Sequence, residues 1–163
     1  MSLIVGRTKK DDYDDTPERK AWKKYCAQVN YEVKFNDKYA PVDCCVRTPR
    51  GIVIAIELAC NSCWTIQSEY PQDTIHIPYR KFRYFVQVIE GIPVGWSGAD
   101  VAKCDRGYFV LFNTSYTKIA FLTFKTLIKN VKEFEIKEQT LNKELCKVFL
   151  VPKKFIKVYK EIL

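Results

Sequence analysis

Histidine is nearly absent from this chain: His76 is the only one in 163 residues. A cluster of imidazole ligands is thereby excluded, and His76, between Ile75 and Ile77, reads as a strand residue rather than a base. Long apolar runs are also missing. No stretch approaches the roughly 20 residues of a membrane span, and the opening MSLIVGRTKK is too short in its apolar part for a secretory signal. A second CxxC is lacking as well. Cys60-Asn61-Ser62-Cys63 stands alone, so a four-thiolate zinc or iron–sulfur site has too few ligands at suitable spacing. The seven cysteines are odd in number and several lie inside apolar patterns, which favours reduced thiols in a cytoplasmic compartment over a disulfide framework. Repeats, low-complexity tracts and internal linkers are absent, so residues 16–163 are expected to form one domain behind a flexible arm of residues 1–15.

Acidic residues are in deficit. Lys and Arg number 27 against 19 Asp and Glu, a formal charge of +8. Such an excess suits a polyanion-binding surface, because Lys and Arg contacts to phosphate supply most non-specific nucleic-acid affinity. Hydrophobic residues make up 47% and aromatics 14%, which marks a globular chain. A chain of this length buries about 70% of its unfolded surface, enough for a substantial core.

The most informative stretch is Pro41 to Cys60, PVDCCVRTPRGIVIAIELAC. β-Branched runs flanking Thr48-Pro49-Arg50-Gly51 predict a hairpin. Folding it about that turn sets Asp43 opposite Glu57. With a period of two, Cys44, Val46, Ile52, Ile54, Ile56 and Leu58 share one face, and Asp43, Cys45, Val53, Ala55, Glu57 and Ala59 the other. Two carboxylates facing each other destabilise a sheet unless a positive charge lies between them, and a divalent cation is the usual occupant. Acids at strand ends are also ordinary, so pairing geometry alone leaves both readings open.

Pro41-Val42-Asp43, thirteen residues, then Glu57-Leu58-Ala59 resembles the signature of the PD-(D/E)XK nuclease superfamily. The resemblance implies that Asp43, Glu57 and the Leu58 backbone carbonyl bind Mg²⁺ or Mn²⁺. It also implies a possible third carboxylate from the first helix, Glu18. The chain departs from the signature at Ala59, where a lysine is expected to assist the attacking water. Three explanations are open: an engineered Lys-to-Ala change, relocation of the cation to Lys81, or natural loss of catalysis. The otherwise intact hairpin favours the first, in which case restoring lysine at 59 should raise cleavage.

Around this hairpin the expected order is helix, strand, hairpin, helix, strand, strand. Thr16 and Pro17 announce a helix with Ala21, Trp22, Tyr25 and Val29 on one face. Tyr31 to Phe35 reads as a strand and 61–77 as loop-like. Pro78 opens a second helix with a stop at Gly91; its buried stripe is Phe82, Phe85, Val88 and Ile89, bordered by Lys81. GIPVGWSG is a loop carrying Trp96. Two strands follow, then a short helix over 125–132, a strand over 147–151, and an amphipathic terminal helix packing Phe155, Ile156, Tyr159 and Ile162. This is an α/β fold with a mixed sheet: a restriction-endonuclease-like αβββαβ core with extra C-terminal strands and a terminal helix.

The resulting expectation is a magnesium-dependent endonuclease of double-stranded DNA, catalytically impaired at Ala59, with Arg19, Lys23, Arg50, Arg80 and Arg83 touching nucleic acid. Such an enzyme would be cytoplasmic or nucleoid-associated, of phage, homing or restriction type, not membrane-bound, and a homodimer or higher oligomer. The alternatives are a non-catalytic basic nucleic-acid-binding domain and a small structural protein whose charge serves solubility.

Overall fold

A computed structural model describes residues 16–36, 42–91, 104, 106–141 and 143–163. The expected arm at 1–15 and the loop bearing Trp96 lie outside the described residues. The first described element is α1, Pro17–Gln28, and its start follows from local chemistry. Thr16 caps it, its hydroxyl accepting from the Arg19 amide at 3.4 Å, and Pro17 occupies the first turn, where a missing N–H costs nothing.

The strands β1 (Glu32–Phe35), β2 (Cys44–Arg47) and β3 (Val53–Cys60) form an antiparallel run. The β2–β3 turn closes as read from the sequence. The Gly51 amide donates to the Thr48 carbonyl at 2.8 Å, and Gly51 takes φ +83°, a left-handed conformation that disfavours residues with a Cβ. Cys44 pairs with Ile56 and Val46 with Ile54. That register carries Asp43, just before β2, to the level of Glu57.

After β4 (Thr74–Pro78) and α2 (Phe82–Ile89), the chain crosses over to β5 (Arg106–Phe112), which lies parallel to β3; β6 (Lys118–Thr123) then pairs antiparallel with β5. The elements α3 (Phe124–Lys129), β7 (Glu135–Leu141), β8 (Glu144–Pro152) and β9 (Val158–Glu161) complete the chain. The result is a six-stranded mixed sheet in the order β1-β2-β3-β5-β6-β9 and a three-stranded sheet in the order β4-β8-β7.

Each face of the larger sheet has its own core. One face packs on α1 through Trp22, Tyr25, Cys44, Val46, Ile54 and Ile56. The other packs on α2, α3 and the smaller sheet through Cys45, Val53, Ala55, Phe85 and Phe124. The two-residue alternation read from the hairpin therefore assigns its side chains to the two cores.

Several expectations change. Pro78 ends β4 instead of opening a helix, α2 begins at Phe82, and Ile89 is exposed instead of lying in its buried stripe. The terminal segment is not a helix: a 3-10 turn at Lys153–Phe155 leads into β9, which pairs with β6. Without β9, the outer backbone groups of β6 would lack partners, and the Lys157 amide closes on the Phe121 carbonyl at 2.7 Å. Tyr159 and Ile162 then join opposite cores rather than one stripe. The loop-like 61–77 segment ends in β4, where His76 is an exposed strand residue with Nδ1 2.7 Å from Gln139. The strand expected at 147–151 is the longer β8, paired with β7, whose polar edge-strand sequence hides its period. All seven cysteines are free thiols.

Candidate active site

Asp43 and Glu57 meet at the open end of the β2–β3 hairpin. Asp43 Oδ2 accepts from the Leu58 amide at 2.8 Å, which ties the residue before β2 to the far end of β3. In an extended strand the N–H and C=O of one residue leave on the same side. The Leu58 carbonyl thus emerges toward Asp43. Glu57 is 4% exposed and points toward α2. Burial, then a hydrogen bond with Asp43 and the Asp43 charge, push its carboxyl up to about 8. The facing of two acids inferred from the turn is realised.

The cation in this pair comes from the next helical segment. Residues 79–81 form a 3-10 turn ahead of α2, and from its end Lys81 Nζ donates to Glu57 Oε2. Lys81 lowers the Glu57 pKa, but burial and Asp43 outweigh it. Ala59, two residues beyond Glu57 on the same face, packs its methyl against the α2-side core.

Several residues sit elsewhere than expected. Arg19 is not a solvated phosphate contact: it is 1% exposed, and its guanidinium donates to the carbonyls of Asn36 and Asp43, both at 3.0 Å. It also lies 3.8 Å from Asp43 Oδ1 and 4.9 Å from the Phe35 ring centroid. Arg19 is therefore an internal strut that fixes the residues around Asp43. The capping signal at Thr16 located its helix but could not say which side faced in. Glu18 does not join the two acids. Its Oε1 accepts from the Tyr116 hydroxyl at 3.1 Å, and no group of three or more metal-ligating side chains occurs among the described residues. Lys23, Arg50, Arg80 and Arg83 are exposed. Arg80 and Arg83 flank Lys81, with Arg83 lying over Tyr84.

Asp43, Glu57 and the Leu58 carbonyl form a set of hard oxygen donors, the kind that suits Mg²⁺ or Mn²⁺. Two carboxylates suffice for Mg²⁺, which keeps several waters and takes further oxygens from phosphate.

This mixed sheet, with its hairpin-borne acids and crossover helix, is a restriction-endonuclease-like fold. Among solved structures, it is similar to Hjc, a Holliday junction resolvase from Archaeoglobus fulgidus, with a TM-score of 0.50 and 11% identity over 90% of this chain and 93% of that one. No family model and no curated protein matches the sequence.

Proposed function

We propose that this chain is a metal-dependent DNA nuclease whose lysine has moved from position 59 to position 81. The observation that carries the reading is the ammonium of Lys81 on the Glu57 carboxylate, beside Asp43. Of the three explanations for Ala59, relocation needs no altered residue, and a cation already lies on the Glu57 carboxylate, which supports it. The resemblance of the hairpin motif and the resolvase fold of the structural neighbour support the same assignment.

Asp43, Glu57 and the Leu58 carbonyl would hold the ion. Bound there, Mg²⁺ or Mn²⁺ lowers the pKa of a water and offsets charge developing on a phosphate. Lys81 keeps a fixed positive charge on the α2 side of the site, where it stabilises an anionic phosphate more strongly than in bulk water. Arg80 and Arg83, exposed beside it, hold the nucleic-acid backbone. Arg19 anchors the carbonyl of Asp43 and so keeps the acid at the level of Glu57.

The test is cleavage of labelled duplex and branched DNA with Mg²⁺ or Mn²⁺, alongside calorimetric titration of the metal. Cleavage by the native chain, lost in Lys81→Met, and metal binding lost in Asp43→Ala are expected. Metal-independent DNA binding with no cleavage would replace this reading with that of a binding module.

A further inference from the structure

The opposite, α1-side face of the large sheet holds a cavity of about 420 Å³, within the roughly 300–1,000 Å³ span of small-molecule pockets. It opens between α1, the β2–β3 turn and the first residues of β5 and β9. Because Glu57 points toward α2, this cavity and the carboxylate pair occupy different faces.

Its wall is aromatic. Trp22 and Tyr25 stack at 5.4 Å, and Phe121 stands tilted 6.0 Å from Tyr25 and edge-on to Tyr108 at 5.9 Å. Its mouth is cationic. Arg50, Arg106, Lys157 and Lys160 are exposed around it, and none of the described lining residues is acidic. Lys157 Nζ donates to the Tyr108 hydroxyl at 3.4 Å, 5.5 Å from the ring centroid, which places one charge at the rim of the aromatic wall.

Aromatic rings and a cationic mouth together describe a site for a planar heteroaromatic group with phosphate attached. Four cations exceed what one phosphate needs, so they fit a run of phosphates.

We propose that this cavity receives an unstacked base from a single-stranded nucleic-acid segment whose backbone crosses Arg50, Arg106, Lys157 and Lys160. Stacking of the base on Tyr108, the partly exposed ring of the wall, and neutralisation of the phosphates are the two contributions that bind single strands without sequence preference. The strand site needs neither the metal nor the carboxylate pair.

The experiment is fluorescence anisotropy in EDTA with a labelled oligothymidylate and a matched duplex. Tyr108→Ala and, separately, the exposed double variant Arg106→Gln/Lys157→Gln should each weaken single-strand binding by about tenfold, with the duplex little affected. Asp43→Ala should bind the strand like the native chain, so failure of cleavage and failure of this site are distinguishable. Thymidine monophosphate should compete only at far higher concentration than the strand. Native-like strand affinity in both folded variants overturns the proposal. So does monophosphate competition as effective as the strand, which would mark a site for free nucleotides.

Discussion

Lys81 Nζ donates to Glu57 Oε2 across 24 residues of sequence, from a turn before α2 to the far end of β3. A lysine at 59 would have approached the same carboxylate along its own strand. Here the small Ala59 side chain packs into the core, and the ammonium comes from the crossover segment.

If Lys81 has replaced the signature lysine, Lys81→Met should lower the cleavage rate by about 10²–10³, the usual loss when one preorganised charge-stabilising donor is removed. Duplex affinity should change little, because exposed Arg80 and Arg83 remain. Adding Ala59→Lys to the Lys81→Met chain should recover part of the rate, since it restores a cation on the same face. Single-turnover kinetics on labelled DNA reads both effects. Undiminished cleavage by Lys81→Met would assign the role elsewhere.

The Glu57 carboxyl gives a pH signature in the metal-free protein. Its pKa rises from 4.5 to about 8 on folding, chiefly through burial and then through Asp43. Between these values the folded state holds a proton that the unfolded chain has released. The Glu57 contribution to stability is therefore full below about pH 4.5 and is lost as pH rises toward 8. Glu57→Gln removes the titration. The Tm of Glu57→Gln relative to the native chain, measured in EDTA, should climb between about pH 5 and 8 and then level off. A difference independent of pH would show that Glu57 titrates normally.

How much of this was legible follows from the kind of signal each residue carries. The Asp43–Glu57 pairing was readable because a tight turn fixes register and a two-residue period fixes faces; both are local properties. Lys81 could be suspected only as a residue bordering an apolar stripe, because its distance from Glu57 is set by the crossover and not by spacing. Arg19 was misread because a basic residue among lysines on a short helix gives no local sign of facing inward. Only the folded chain brings the carbonyls of Asn36 and Asp43 to its guanidinium. The terminal segment misled for a related reason. Its apolar spacing fits a helix, yet the unpaired edge of β6 supplies a ladder that the segment completes as β9.

The buried position of Arg19 makes it a stability residue with a functional consequence. Arg19→Ala removes two charge-assisted hydrogen bonds to backbone carbonyls and the stem packed beside Phe35. A loss of about 2–4 kcal/mol in unfolding free energy is expected, read by urea denaturation. Metal affinity should fall as well, because the backbone around Asp43 loses its strut. Lys23→Ala, on the exposed side of the same helix, should leave both nearly unchanged. Equal stability of Arg19→Ala and the native chain would remove Arg19 from the support of the site.

Gly107 tests how the core positions Lys81. A Cβ at this position would fall 2.1 Å from Cδ2 of Phe124, inside the space of a fully buried ring. Phe124 in turn stacks on Phe85 of α2, with ring centroids 4.1 Å apart and planes 14° from parallel. Replacing a strand glycine by alanine ordinarily gains stability by restricting the unfolded chain. Gly107→Ala should instead lower the Tm by about 3–10 °C, the range expected from overpacking in a chain of this size. The strain is relieved by displacing Phe124 and Phe85, which shifts the helix that follows Lys81. Cleavage at saturating DNA should therefore fall while KM holds. Adding Phe124→Leu should recover some stability by making room for the methyl, but not the rate, since the stacking that seats α2 is gone. If Gly107→Ala is as stable and as active as the native chain, the Phe124–Phe85 stack does not hold the lysine in place.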